Sequence, residues 1–310
     1  MDCASFPSAP TVGPAPSWRC KLAVDGLSGE RIDIGGRRLR VARAGPRSAD
    51  HPLIVCEHGA FGCATDWAVV QASLAERGLR SLAYDRAGLG GSDPGPEPRD
   101  GRAINDDLDA LLGALGETGP ILLCGHSMGG LMVRLFALER TRPLAGLVLV
   151  DAVTPDVLGL PGGRLAVRGF GKLLDVVAVG ARAGLMTPVA WISSNLIGLP
   201  PESAREKRRI HGAASHALWA AAEVNAWPAT SNLAGAYDLP AELPVAVITA
   251  GPHGGREALK AVQEKPARRS ANGFIVHQAA AGHANLLGPR YSEAVLRGID
   301  HVLQAGSRVT

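Results

Sequence analysis

The chain has 310 residues, 46% of them apolar and 20% charged, which is enough for a sizeable buried core and unlike a disordered polypeptide. Thirty-two Lys and Arg against 29 Asp and Glu leave a formal net charge of +3, so the overall balance gives no ground for a nucleic-acid or membrane-surface partner. Five cysteines, at 3, 20, 56, 63 and 124, contain no C-x-x-C pair, and neither a disulfide framework nor a zinc site is indicated.

Residues 1–28 open with a Pro-, Ser- and Ala-rich stretch without a basic start or an apolar core, so it reads as a peripheral arm and not a secretory signal. Arg31–Ile34 and Arg37–Arg43, on either side of Gly35-Gly36, form an expected hairpin. Apolar strands then alternate with helical stretches. Strand Leu53–Cys56 precedes helix Trp67–Arg77, and strand Leu79–Tyr84 precedes helix Ile104–Leu115, whose Leu108, Leu111, Leu112 and Leu115 share a face. Strand Ile121–Cys124 runs into helix Leu131–Arg140, and Leu147–Val150 is the next strand. From about Val153 to Leu243 the alternation stops, leaving Gly-punctuated helical pieces that carry Trp191, Trp219 and Trp227. It resumes with strand Val245–Thr249, helix Glu257–Glu264, strand Phe274–His277 and a closing helix, Tyr291–Leu303. Strands joined through helices require crossovers, hence a mostly parallel sheet flanked by helices. The expected division is an arm (1–28), an α/β core (29–152 and 244–310) and an inserted helical cap (153–243). The longest uncharged stretch, Ala183–Pro201, contains Pro188 and polar residues and makes a poor spanning helix. A cytoplasmic protein with reduced thiols, without integral membrane association, is the expectation.

Gly125-His126-Ser127-Met128-Gly129-Gly130 lies between a strand and a helix. This is a G-x-S-x-G pattern in the place where it forms a nucleophile elbow, with helix amides pointing toward the serine. Together with Glu57-His58-Gly59-Ala60-Phe61-Gly62, Asp66-Trp67, Tyr84–Ser92, Val148-Leu149-Val150-Asp151 and Gly282-His283, the chain resembles the α/β-hydrolase superfamily. Its capped serine esterase and lipase-like members are the nearest in pattern. The resemblance covers most of residues 30–303 and implies an α/β-hydrolase fold with a helical cap.

It also implies roles. Ser127 is the expected nucleophile and His283, after the last strand, its base, in the chain order Ser, acid, His that this fold uses. The backbone amides of Met128 and of Ala60, with Phe61 as alternative, are the expected oxyanion donors. The acid is less clear, because the loop Ala250–Glu257 in the family's commonest slot has no Asp. Asp151, at the end of the strand after the elbow, is the leading candidate, with Glu257 and Asp156 as alternatives. Asp85-Arg86 reads as an ion pair or loop brace, and the run Arg205–Arg209 as a solvated helix face. No H-E-x-x-H pattern occurs, so no metal or other cofactor is expected. The apolar stretch Val176–Leu199, containing Val189, suits a substrate pocket in the cap, with Phe61, Met186, Trp191 and Trp219 as candidate lining.

The resulting expectation is a serine hydrolase of small to medium apolar carboxylic esters, acting through an acyl-enzyme. Amide, lactone or carbon–carbon bond hydrolysis would suit the same triad. A ligand-binding receptor with a degenerate triad is the alternative of another class.

Overall fold

All five residues of β3 (Leu53–Glu57) are buried, as are nearly all of β5 (Ile121–His126), β6 (Leu144–Val150) and β7 (Val245–Ala250). Runs apolar on both faces belong in the middle of a parallel sheet covered on both sides. Successive side chains divide accordingly: Ile54, Cys56, Leu122 and Cys124 enter one apolar cluster, while Leu53, Val55, Ile121 and Leu123 enter the other. The computed structural model describes residues 27–306, apart from 48–50, 187, 189, 193–195, 253 and 255. Most of the expected arm, Cys3, Cys20, Val189 and His253 therefore lie outside the described residues.

The remaining strands are β1 (Glu30–Asp33), β2 (Arg38–Ala44), β4 (Ser81–Tyr84) and β8 (Gly273–Gln278). The sheet order is β1-β2-β4-β3-β5-β6-β7-β8, with β1 and β2 antiparallel to their neighbours and every pairing from β4 onward parallel. The Gly35-Gly36 turn of the first hairpin is left-handed at both residues, with φ of 98° and 88°.

Helices α1 (Ala68–Glu76), α2 (Gly101–Ala114) and α3 (Gly129–Glu139) alternate with the first strands. Asp100 caps α2 by accepting from the amides of Arg102 and Ala103. Between β6 and β7 lie α4 (Gly163–Arg182), α5 (Pro201–His211), α6 (Ala214–Asn225) and α7 (Trp227–Ala234), and α8 (Glu257–Arg269) and α9 (Ser292–Gly306) complete the core. The inserted helices close over one end of the sheet. Val167, Leu174, Ala217 and Trp227 share a cluster with Met128 and Leu131 at the start of α3, and Ala60 and Phe61 pack against it.

The run Arg205–Arg209 is not wholly a solvated face. Lys207 is buried and donates to Asp66 at 2.6 Å, while Glu206 accepts from Thr65 at 2.6 Å and pairs with Arg40. Helix α5 thus turns two charges toward complementary groups of the core, a pairing across more than a hundred residues that local charge pattern does not carry.

Candidate active site

Ser127 stands at the turn between β5 and α3 with φ of 54°, a left-handed conformation that is costly for a residue with a Cβ. Its amide donates to Val150 O at 3.1 Å, and its carbonyl accepts from Gly130 at 3.0 Å and Val153 at 2.8 Å, which over-determines the turn. The glycines make the turn possible. A Cβ on Gly125 would come within 2.7 Å of Gly129 O, and one on Gly129 within 2.5 Å of Glu57 O.

On the neighbouring strand, Asp151 follows β6, also left-handed with φ of 40°. Its Oδ2 accepts from His283 Nδ1 at 2.6 Å. That hydrogen bond puts the proton on Nδ1 and leaves the Nε2 lone pair free to act as a base. Asp151 Oδ1 accepts from Ala250 N at 3.2 Å, Gln263 Nε2 at 3.2 Å and Lys260 Nζ at 3.4 Å. Burial works to raise the Asp151 pKa, but the hydrogen bond and charge of His283, then Lys260 and the Ala250 amide, hold it well below the usual carboxylate range. Glu257 is exposed at the start of α8, and Asp156 pairs with Lys265 at 2.7 Å, so neither alternative acid meets the imidazole.

His283 is also anchored through its backbone, whose carbonyl accepts from His126 Nε2 at 3.0 Å. Burial and the neighbouring His283 lower the His126 pKa to about 4, so it stays neutral. Among the described residues the hydrogen bonds of His283 are these two, and neither reaches Ser127 Oγ. Hydrogen bonds to a catalytic nucleophile are often long without substrate.

The loop after β3 lies directly beside the serine, since a Cβ on Gly59 would approach Ser127 Cβ to 2.9 Å. Phe61 is left-handed at φ 56°, and Gly62 N closes the loop on Gly59 O at 3.2 Å. Among the described residues no acceptor takes the amides of Ala60, Phe61 or Met128, which leaves three donors at this edge of the site.

Arg86 holds that loop. Fully buried, it donates to His58 O at 2.7 Å, Gly59 O at 3.0 Å, Glu57 Oε1 at 2.5 Å and both carboxylate oxygens of Glu223 at 2.9 and 2.7 Å. Burial disfavours its charge, yet Glu223 and Glu57 more than compensate and raise its pKa. Asp85 instead pairs with Arg40 at 2.9 Å, so the Asp85-Arg86 brace consists of two separate pairs.

The expected lining residues divide. Met186 is buried in the apolar cluster that includes Met128, and Trp219 packs against Leu89 and Phe61. Trp191 is 56% exposed, beneath the guanidinium of Arg208 at 4.6 Å from the ring centroid, and does not join them. The sequence reading omits Lys260, Gln263 and Glu223. Their signal is a buried polar residue on the inner face of an otherwise amphipathic helix, with Lys260 and Gln263 one turn apart on α8.

Residues 52–166 match the alpha/beta hydrolase fold family. The chain is 39% identical over 101 residues to a mouse (Mus musculus) sn-1-specific diacylglycerol lipase, covering 32% of each chain. Across the curated relatives the matched segment spans between 20% and 56% of their length. A thermophilic esterase from Thermogutta terrifontis superposes with a TM-score of 0.66 at 23% identity, over 89% of this chain and 99% of that one. An epoxide hydrolase from Vigna radiata gives 0.68 at 14% identity, over 90% and 99%. Likenesses at such low identity speak for the fold, and they agree with the strand order and with the matched segment. The chain is an alpha/beta-hydrolase-fold protein.

Proposed function

We propose that the protein is a serine hydrolase of small to medium, apolar carboxylic esters, with Ser127, His283 and Asp151 as its triad. The observation carrying this reading is the His283–Asp151 hydrogen bond of 2.6 Å beside a serine held in a left-handed turn. Ser127 Oγ attacks the ester carbonyl as its proton passes to His283 Nε2, and Asp151 stabilises the imidazolium through Nδ1. The tetrahedral oxygen takes its negative charge into the amides of Met128 and Ala60. His283 returns the proton to the departing alcohol, then takes one from water, which attacks the acyl-enzyme and frees Ser127. Epoxide hydrolysis by the covalent route needs a carboxylate nucleophile at the elbow, and the serine there favours acyl transfer.

The inserted segment 153–243 serves as the cap, with Phe61, Met186 and Trp219 lining the acyl pocket. A fluorophosphonate probe should label wild-type protein stoichiometrically, and Ser127→Ala should abolish both labelling and p-nitrophenyl ester turnover while leaving the thermal transition in place. More than a tenth of wild-type kcat in Ser127→Ala would overturn the mechanism. Labelling without turnover of esters, lactones or amides would favour a binding protein instead.

A further inference from the structure

Nine large apolar side chains are exposed among the described residues, and eight of them fall between Leu165 and Leu196. Helix α4 accounts for much of this. One face, with Val167, Leu174, Ala178 and Ala181, is buried against α6 and the cluster above the serine. On the other side Leu165, Leu173, Val176 and Val179 are between 56% and 75% exposed, and Leu185 and Ile192, further along the chain, are 69% and 68% exposed. A helix apolar on two sides calls for a partner on each, and a patch of this kind is unlike the scattered single residues of an ordinary surface.

The charges beside the patch identify the second partner. Arg164, Arg168 and Lys172 recur every four residues, and all three are exposed. They therefore line one edge of the exposed apolar face. The sole acid on α4, Asp175, is held by Asn225 at 3.1 Å and Lys172 at 3.3 Å. These three bases against Asp175 leave a net +2 along this edge of the helix. A second copy would bring like charges together. A surface combining apolar depth with negative headgroups satisfies both features. Among the described residues no helix is long and apolar enough to cross a membrane, so the arrangement suits a helix lying in the interface plane.

We infer that the outer face of α4 docks on the surface of an anionic lipid bilayer. Its apolar residues enter the boundary below the headgroups, and its basic edge contacts the headgroup charge. The inner face of the same helix packs in the cluster above Ser127, so docking sets the candidate active site next to the lipid. The docking itself does not depend on the hydrolase reading, because binding is measured without turnover.

The test is co-sedimentation of the full chain with phosphatidylcholine vesicles, with and without phosphatidylserine, at low and high salt. Binding to the anionic vesicles is expected to be about 10–100-fold tighter than to neutral ones and to weaken with salt. Val176→Asp, at an exposed position, should reduce it at least tenfold while keeping the wild-type melting temperature and turnover of a soluble acetate ester. Arg168→Glu should remove most of the preference for anionic lipid. Absence of binding to either vesicle, or unchanged binding in Val176→Asp, would overturn the inference. So would a dimer by light scattering that Val176→Asp dissociates, since the face would then belong to a second copy.

Discussion

Three residues other than glycine adopt positive φ among the described residues: Phe61, Ser127 and Asp151. Each follows the carboxyl end of a strand, and β3, β5 and β6 are adjacent in the sheet. Left-handed backbone costs roughly 1–2 kcal/mol for a residue with a Cβ, so it persists only where neighbours hold it. Here the holding groups are the Val150 and Ile248 carbonyls, which accept from the amides of Ser127 and Asp151 at 3.1 and 2.6 Å. Ser127 is legible in sequence because its flanking glycines are a steric requirement of the turn. Asp151 is legible only as a candidate, because Val-Leu-Val-Asp says nothing of what faces the carboxylate. Lys260 and Gln263, which hold it, come from 109 and 112 residues further on. Asp151→Asn should lower kcat by about 10⁴, the size of loss a wrong imidazole tautomer causes in a well-studied protease, while Glu257→Gln should change it little. Steady-state kinetics on one p-nitrophenyl ester decides this, and a reversed pair of results would reassign the acid.

Among the elements, α6 meets the loop after β3 in two ways, through Trp219 against Phe61 and through Glu223. Its Glu223 pairs with Arg86, which in turn fixes the carbonyls of His58 and Gly59 on the loop bearing the Ala60 amide. Removing one partner of a buried pair typically costs about 3–5 kcal/mol. Glu223→Ala is therefore expected to lower the melting temperature and also to cut kcat by about tenfold or more, because the loop amides proposed as oxyanion donors lose their fixed position. Glu223→Gln keeps the shape and one acceptor and should recover part of both. A wild-type kcat in the alanine variant would show that the clamp does not set the loop. The strands and core helices were legible because their apolar runs and periodicities are local. The inserted helices were not, since what orients α5 and α6 is charge pairing with Arg40, Asp66 and Arg86, far away in sequence.

At the scale of the whole molecule, burial is the largest cause lowering the pKa of His58, His126, His211 and His216. The fold favours their neutral forms, and on unfolding each regains a pKa near 6.5 and takes up a proton below it. The unfolded state then binds more protons, so stability rises with pH and is lost as pH falls below about 6.5. Asp151 acts in a separate window. Its depressed pKa contributes stability that is complete above about pH 4 and is lost only as pH falls through its folded value. The melting temperature should therefore drop between pH 7 and pH 5, with a net proton uptake on unfolding. A flat profile over that range would show that these histidines are not held neutral by the fold.

The Arg86 cluster also orders the assembly of the protein in time. Glu57 and Arg86 lie 29 residues apart and can neutralise each other as soon as β3 and β4 pair. Glu223 lies 137 residues after Arg86, and it brings a second carboxylate to the same buried guanidinium. Burying that charge is tolerable only once the Arg86 donors that face it are aligned, so α6 docks onto β3 and β4 already paired. Excising the segment 153–243 would strand an arginine half-satisfied in the interior. Synthesis from the amino terminus presents the insertion before β7, β8 and His283, so α6 meets the paired β3 and β4 before the sheet is complete.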